Sequence, residues 1–329
     1  MLLVSLFTAT CLLFTGDSLF IPVSRVLSKK KPHSIELLGR DLVLWWDKIK
    51  WRATSDICPH RHGSFSSGVI TPKGDIKCGY HGWEFNGCGN CTFMPELGKS
   101  EPVSIPKYDL FEKQGVLWLD DKKNHSIDSI SHLSKNNVFT EWLIHELDTK
   151  HDLFLENAVD FPHFHHVHHG VIPFLVNRYK KTLVAKEDDI IVHWYNQTGF
   201  QVSMGKNDNA PQFTFYPPYA IHFDLKMFSI WLSSVPISEN KTSVFSNILV
   251  PFKNKWQKIL IKFFYFLTGP ISRAFGYKIL RQDMRQLKDQ NRNVKKLGKK
   301  KYIYNYVGYK PIELYNKWMR EFGHEITSI

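Results

Sequence analysis

The sequence has few cysteines, no internal repeat, no acidic surplus and no long apolar run. Its five cysteines, Cys11, Cys58, Cys78, Cys88 and Cys91, are too sparse and too uneven in 329 residues for a secreted disulfide scaffold. The apolar stretch at residues 1–15 lacks a basic n-region and is shorter than the ~20 residues a membrane-spanning helix needs. It reads either as a leader or as the buried start of the first domain. A second apolar stretch, residues 259–267, is interrupted by Lys262 and closed by Gly269 and Pro270. Spanning is not expected there either, and an amphipathic or substrate-gating helix suits it better. Lys+Arg number 43 against 31 Asp+Glu, a formal net charge of +12, so acidic partners are favoured. The basic tract at 295–301 has no interleaved aromatic platforms and is expected to be solvated surface, with no nucleic-acid role.

What is present points to a globular protein. A hydrophobic content of 43% and a charged content of 22% exclude disorder, collagen and coiled coil, and 329 residues exceed what one core usually organises. From 34 to 120, short β-like runs at 35–38, 42–46, 76–78 and 116–119 alternate with Gly and Pro, which predicts a small, mostly β domain over 21–122. Residues 1–20 precede it as an extension, and the polar stretch 123–137 reads as a linker. The larger domain, 138–329, holds a helical candidate at 151–169 and strand-like segments at 190–195, 212–215, 221–236 and 243–250. A long helical candidate runs from 271 to about 294. The fold class expected is α+β, with the larger domain an antiparallel sheet flanked by helices.

Four of the cysteines crowd into 58–91, where Cys58, His60, Cys78 and His81 form the pattern C-x-H-x17-C-x2-H. Two thiolates and two imidazoles can hold one zinc ion tetrahedrally or a two-iron cluster. A zinc finger usually groups its cysteines and its histidines separately. Here each loop supplies one of each, so the loops can offer both thiolates to an inner iron and both imidazoles to an outer one. Cys88 and Cys91 form a C-x2-C pair in a Gly-rich turn, which reads as a structural or incidental pair ahead of a redox-active one, because nothing around it suggests a thioredoxin-like context. These residues, with the run Cys78-Gly79-Tyr80-His81-Gly82-Trp83-Glu84-Phe85, resemble the Rieske [2Fe-2S] signature in the form found in Rieske oxygenases. The resemblance makes Cys58, His60, Cys78 and His81 the cluster ligands and passes over His62.

A second concentration of ligands lies at 156–170, with five histidines in the seven residues 163–169. A mononuclear iron oxygenase binds Fe(II) with two His and one carboxylate and leaves positions open. By composition any two of these histidines would serve, and helix geometry alone favours His165 and His169. The resemblance to Rieske oxygenases instead matches D-x2-H-x4-H to Asp160, His163 and His168, leaving His165, His166 and His169 as outer or surface residues. It implies Asp283 as the third ligand, with Asp289 and Asp224 as competitors. It also implies that Asp160 bridges to His81 or His60 of a neighbouring subunit, and hence a homo-oligomer, typically a trimer.

Around the cluster, residues 37–45, 58–61 and 87–96 are similar to the subgroup containing pheophorbide a oxygenase and chlorophyllide a oxygenase. The resemblance implies a monooxygenase that takes electrons from a ferredoxin-type or reductase donor. Its substrate would be hydrophobic or cyclic, a chlorophyll-derived tetrapyrrole or a smaller alkaloid, aromatic or sterol. It further implies a plastid location, with the cytoplasm otherwise, and leaves peripheral membrane contact open. Phe213, Tyr216, Tyr219, Phe223, Phe228 and Trp231 are pocket candidates by strand alternation. Readings from other classes are a Rieske electron-transfer or assembly protein without oxygenase activity, and a zinc-stabilised binding module.

Overall fold

The computed structural model describes residues 20–120, 136–168, 190–206, 210–298 and 309–322. The N-terminal extension with Cys11, the linker as far as 135, His169, and 299–301 of the basic tract lie outside the described residues, as does the side chain of His165. Two compact units divide the chain. One contains the described residues up to 120 together with Val235–Glu239, and the other contains the described residues from 136 onward apart from that segment.

The first unit is built almost wholly of antiparallel strands. Its larger sheet comprises β1 (Phe20–Arg25), β2 (His33–Leu37), β3 (Arg40–Trp46) and β4 (Trp51–Ser55) with two later strands. A second, four-stranded sheet follows in chain order as β5 (Val69–Ile70), β6 (Ile76–Lys77), β7 (Glu84–Phe85) and β8 (Cys91–Phe93). With β9 (Tyr108–Lys113) and β10 (Val116–Asp120) added, the larger sheet runs β1-β10-β9-β4-β3-β2. Two of its hairpins are two-residue turns with both central residues at positive φ, Leu38 and Gly39 in one and Gln114 and Gly115 in the other. Turns of that kind match the twist of the strands they join. Val43 and Trp45 of β3 face a core shared with Phe65, Ile76, Phe85 and the two cysteines Cys58 and Cys78.

The second unit centres on an eight-stranded antiparallel sheet. Its strands are β11 (Asn137–Phe139), β12 (Leu143–Leu147), β13 (Ile190–Asn196), β14 (Gly199–Met204), β15 (Gln212–Tyr216), β16 (Ala220–Asp224), β17 (Ser229–Ser238) and β18 (Lys241–Pro251). The order is β11-β18-β17-β16-β15-β14-β13, with β12 pairing β18. The segment expected as one strand at 221–236 is two, because Asp224 accepts from the Lys226 N–H and turns the chain, with Lys226 at φ 67°. Strand β14 escapes a reading by composition because Gly199 opens it and two of its six residues are polar.

Among the described residues four helices belong to this unit: α1 (His151–Val159), α2 (Phe161–Val167), α3 (Lys255–Leu297) and α4 (Lys310–Glu321). Helix α4 is amphipathic and presses Tyr315 and Trp318 edge-on against Phe215 at 5.4 and 5.5 Å. Full burial of such side chains stabilises by about 1.5–3 kcal/mol each. Helix α3 corrects the expectation of a start at 271: it runs unbroken for 43 residues through Gly269 and Pro270. The proline lies on the exposed side, where the carbonyl it leaves without an N–H partner can be solvated, so one lost bond does not end the helix.

Candidate functional site

The first site is a pair of twin loops. In one, the Cys58 N–H donates to the Gly63 carbonyl at 2.9 Å and the His62 N–H donates back to the Cys58 carbonyl at 3.0 Å. In the other, the Cys78 N–H donates to the Trp83 carbonyl at 2.9 Å and the Gly82 N–H returns to Cys78 at 3.1 Å. His62 and Gly82 occupy the same step of each loop, both at positive φ, 57° and 76°. That step carries His62 outward to an exposed position, whereas His60 and His81 turn toward each other with ring centroids 4.6 Å apart. Trp83 stacks flat on His60 at 4.6 Å and donates its indole N–H to Glu96 at 3.0 Å.

Backbone approach leaves no room for side chains between these loops. A Cβ on Gly68 would stand 1.8 Å from the Lys77 carbonyl oxygen, and one on Gly79 would stand 2.7 Å from that of Ser67. A Cβ on Gly63 would meet Tyr80 Cβ at 2.9 Å and Cys78 Sγ at 3.4 Å. Burial pushes the Cys58 thiol up to about 11, and the Cys78 sulfur beside it adds to the rise. The N–H groups of His60 and Arg61 point at the same sulfur and oppose that rise. Two buried adjacent sulfurs, two facing imidazoles and a buried His60 Nδ1 with no hydrogen-bond partner are what a two-iron cluster with unlike ends requires. Cys91 is buried and points its Sγ at the Phe93 carbonyl, while Cys88 is exposed.

The second site lies just past a break between two helices. A proline at 162 cannot supply the N–H that continues α1, so the helix stops at Asp160 (φ −82°, ψ 85°) and α2 restarts with Pro162 in its first turn. Helix α2 carries His163 and ends at Val167, and its C-cap His168 (φ −103°, ψ 14°) leaves the helical path, so residues five apart converge: the His163 and His168 rings stand 5.3 Å apart. Asp283 comes from the inward face of α3, placing Oδ1 3.4 Å from His163 Nε2 and 3.1 Å from His168 Nε2. One ligand atom from each residue lies within 4.8 Å of the others, the one such grouping among the described residues.

The outer ring nitrogens fix the tautomers. His163 Nδ1 meets the Asp160 carbonyl, and His168 Nδ1 meets Gln282 Oε1 at 3.1 Å. Both rings therefore carry their proton on Nδ1 and turn an Nε2 lone pair inward. Three lone-pair atoms then face one point, all buried and none matched by a donor. A divalent cation satisfies all three together. Asp283 holds the His168 pKa above its ordinary value against the opposing pull of burial, and the two histidines hold Asp283 below its own although burial pushes it up.

The competitors fall elsewhere. Asp289 pairs with Arg292 on the exposed face of α3 at 2.9 Å, and Asp224 pairs with Lys226 at 3.2 Å. His166 is exposed. Asp160 caps α2 by position alone, since its side chain makes no capping hydrogen bond. Its Oδ1 is buried without a partner, and burial raises its pKa.

An apolar cavity of about 390 Å³ opens on the His163, His168 and Asp283 cluster. Phe154, Phe213, Phe223, Phe228 and Leu232 line it, and Tyr265, Ile279 and Leu280 of α3 close one side. Half of the aromatic pocket candidates are thereby corrected. Tyr216 and Trp231 stack on each other at 5.6 Å away from the lining, and Tyr219 is buried against His151 at 5.4 Å. Alternation along a strand identifies a face, but both faces of this sheet are covered. The α3 lining and helix α4 were missed, although Pro311 followed by Ile312, Tyr315 and Trp318 is a legible helix start.

Residues 18–122 match the Rieske [2Fe-2S] domain family. Over 257 aligned positions the chain is 33% identical to the chloroplastic pheophorbide a oxygenase of Arabidopsis thaliana, covering 67% of this chain and 46% of that protein. It is 27% identical to the chloroplastic flavonoid 8-hydroxylase 2 of Ocimum basilicum, covering 73% and 51%. The chain thus spans about half the length of these curated relatives. Among solved structures, the oxygenase and ferredoxin complex of carbazole 1,9a-dioxygenase superposes with a TM-score of 0.74 at 14% identity, covering 95% of this chain and 92% of that one. The twin loops, the two-unit fold and these relatives agree: the chain carries a Rieske [2Fe-2S] domain and is a homologue of the Rieske oxygenases.

Proposed function

We propose that the protein is a Rieske non-haem iron monooxygenase that uses O2 and externally supplied electrons to oxidise a hydrophobic or cyclic substrate. The observation that carries this reading is the convergence of His163 Nε2, His168 Nε2 and Asp283 Oδ1 beside an apolar cavity, in a chain that also has a Rieske domain. When bound, a [2Fe-2S] cluster held by Cys58, His60, Cys78 and His81 stores an electron, and an Fe(II) held by His163, His168 and Asp283 activates O2. The chain's own contribution is to hold and orient. Gln282 and the Asp160 carbonyl keep both imidazole protons on Nδ1, so the inner lone pairs stay available. Phe154, Phe213, Phe223 and Phe228 exclude water and select a substrate by apolar shape.

Asp160 is the proposed electron-transfer residue. Its buried, unpartnered carboxylate oxygen suits a hydrogen bond from a cluster-ligating imidazole of another copy, His81 or His60, which would orient that ring. Such an arrangement calls for a homo-oligomer, and we propose a trimer. The net charge of +12 suits an acidic ferredoxin-type donor, whose encounter it would speed and salt would slow. The relatives' names favour a plastid location and a tetrapyrrole or flavonoid-like substrate. Anaerobic reconstitution tests the reading: two irons and two sulfides for the cluster and a third, sulfide-independent iron per chain are expected. Turnover of pheophorbide a or a flavone with O2 and reduced ferredoxin should follow. A full cluster with no third iron would make the protein an electron carrier instead.

A further inference from the structure

The first half of α3 is covered on its outer side by apolar residues that nothing among the described residues buries. Phe266 is 81% exposed, Trp256 76% and Ile271 71%, and Leu260, Phe263 and Leu267 are exposed beside them. Steps of three and four residues set these side chains on one side of the helix. The opposite side is committed to the protein. There Gly276 packs so closely on Leu143 that a Cβ would lie 2.5 Å from its Cδ1, and Tyr265, Ile279 and Leu280 line the cavity.

Charge singles out the occupant of the free side. From 251 to 282 the chain has no Asp or Glu, while Lys253, Lys255, Lys258, Lys262, Arg273, Lys278 and Arg281 all fall there. Of these, Arg273 pairs with Glu141. Farther along, the outer side turns cationic, with Arg285, Lys288, Arg292 and Lys295 exposed. Lysines are depleted from the cores of protein interfaces, yet they border the apolar face of helices that lie in an anionic bilayer surface, where their stems follow the acyl boundary and their ammonium groups reach phosphate. Among the described residues no helix is long and apolar enough to cross a membrane, so the contact would lie in the surface plane.

We propose that residues 255–277 of α3 dock the protein on an anionic lipid surface and place the helix that walls the cavity against the bilayer. The inference does not depend on oxygenase activity, because docking is read without turnover. The test is flotation of the full-length, cluster-loaded protein with vesicles of phosphatidylcholine alone and of phosphatidylcholine mixed with phosphatidylglycerol. Binding to the mixed vesicles should be at least ~tenfold tighter and should weaken with salt. Phe263→Glu combined with Phe266→Glu should lower that binding at least ~tenfold while leaving the visible cluster spectrum and Tm unchanged, since both side chains are exposed. Lys258→Gln with Lys262→Gln should reduce the preference for anionic lipid. The proposal is overturned if the unmodified protein ignores both vesicle types, or if the Phe263→Glu/Phe266→Glu variant still floats normally. A fall in oligomer mass in that variant with unaltered vesicle binding would assign the face to contacts between copies instead.

Discussion

The proposed cluster donors all lie between Cys58 and His81 on two neighbouring loops, whereas the proposed iron donors bring His163 and His168 together with Asp283 from far along the chain. The loops hold their donors by backbone hydrogen bonds and by close approach of backbone to backbone. The proposed iron donors depend on where α2 ends, at its C-cap His168, and on the register of α3. Local chemistry writes the first site, and tertiary packing assembles the second. Each site should then fail independently of the other.

The largest expected effects test that independence. Cys58→Ser should remove the visible absorption and acid-labile sulfide and reduce turnover to background, because a serine oxygen cannot replace a soft thiolate. The third iron should remain. His163→Ala should do the reverse, keeping the cluster spectrum and losing the third iron with all turnover. Metal and sulfide counts on the two variants decide the matter, and loss of both centres in either would break the comparison.

Next in size is Asp160→Asn, which preserves the shape of the side chain and removes its charge. Turnover should fall by about two orders of magnitude with both metal contents retained. Single-turnover kinetics on the pre-reduced, fully loaded variant provide the check: near-normal cluster reoxidation would leave Asp160 with a purely local role.

Gln282→Leu should have a smaller effect, confined to the second site. Without Oε1 at 3.1 Å, His168 loses the acceptor that fixes its tautomer, and iron affinity should weaken ~10–100-fold, measured by competition with a chelator. The cluster spectrum should not move. Smallest of all is Asp289→Asn. This acid lies six residues from Asp283 on the same helix but pairs only with Arg292 at the surface, so turnover should be unchanged and stability altered by less than ~0.5 kcal/mol in thermal unfolding.

The same contrast explains what could be read from the sequence. Cys58, His60, Cys78 and His81 are legible because loop geometry ties each ligand to a fixed spacing. His62 is a near miss that only the left-handed step at its own φ of 57° explains. Among the five histidines, helical periodicity pointed to His165 and His169, whereas the pair that faces Asp283 is His163 and His168, because α2 ends at Val167 and His168 stands at its C-cap. Asp283 was legible only through resemblance, since an acid on a helix is ordinarily solvated and its burial depends on the turn of α3 that faces the sheet. The helix's true start at Lys255 was hidden by Pro270, which marks an end only where the lost hydrogen bond cannot be made good by water.

The contact at Gly68 has a further consequence for how fast charge can move. A single methyl there would overlap the Lys77 carbonyl, so the two cluster-bearing loops have no slack with which to shift against each other. A cradle with so little room would keep a cluster bound there in nearly fixed positions when its charge changes, which would keep the reorganisation energy of a transfer small. Distance and driving force would then set its speed more than any rearrangement of the protein.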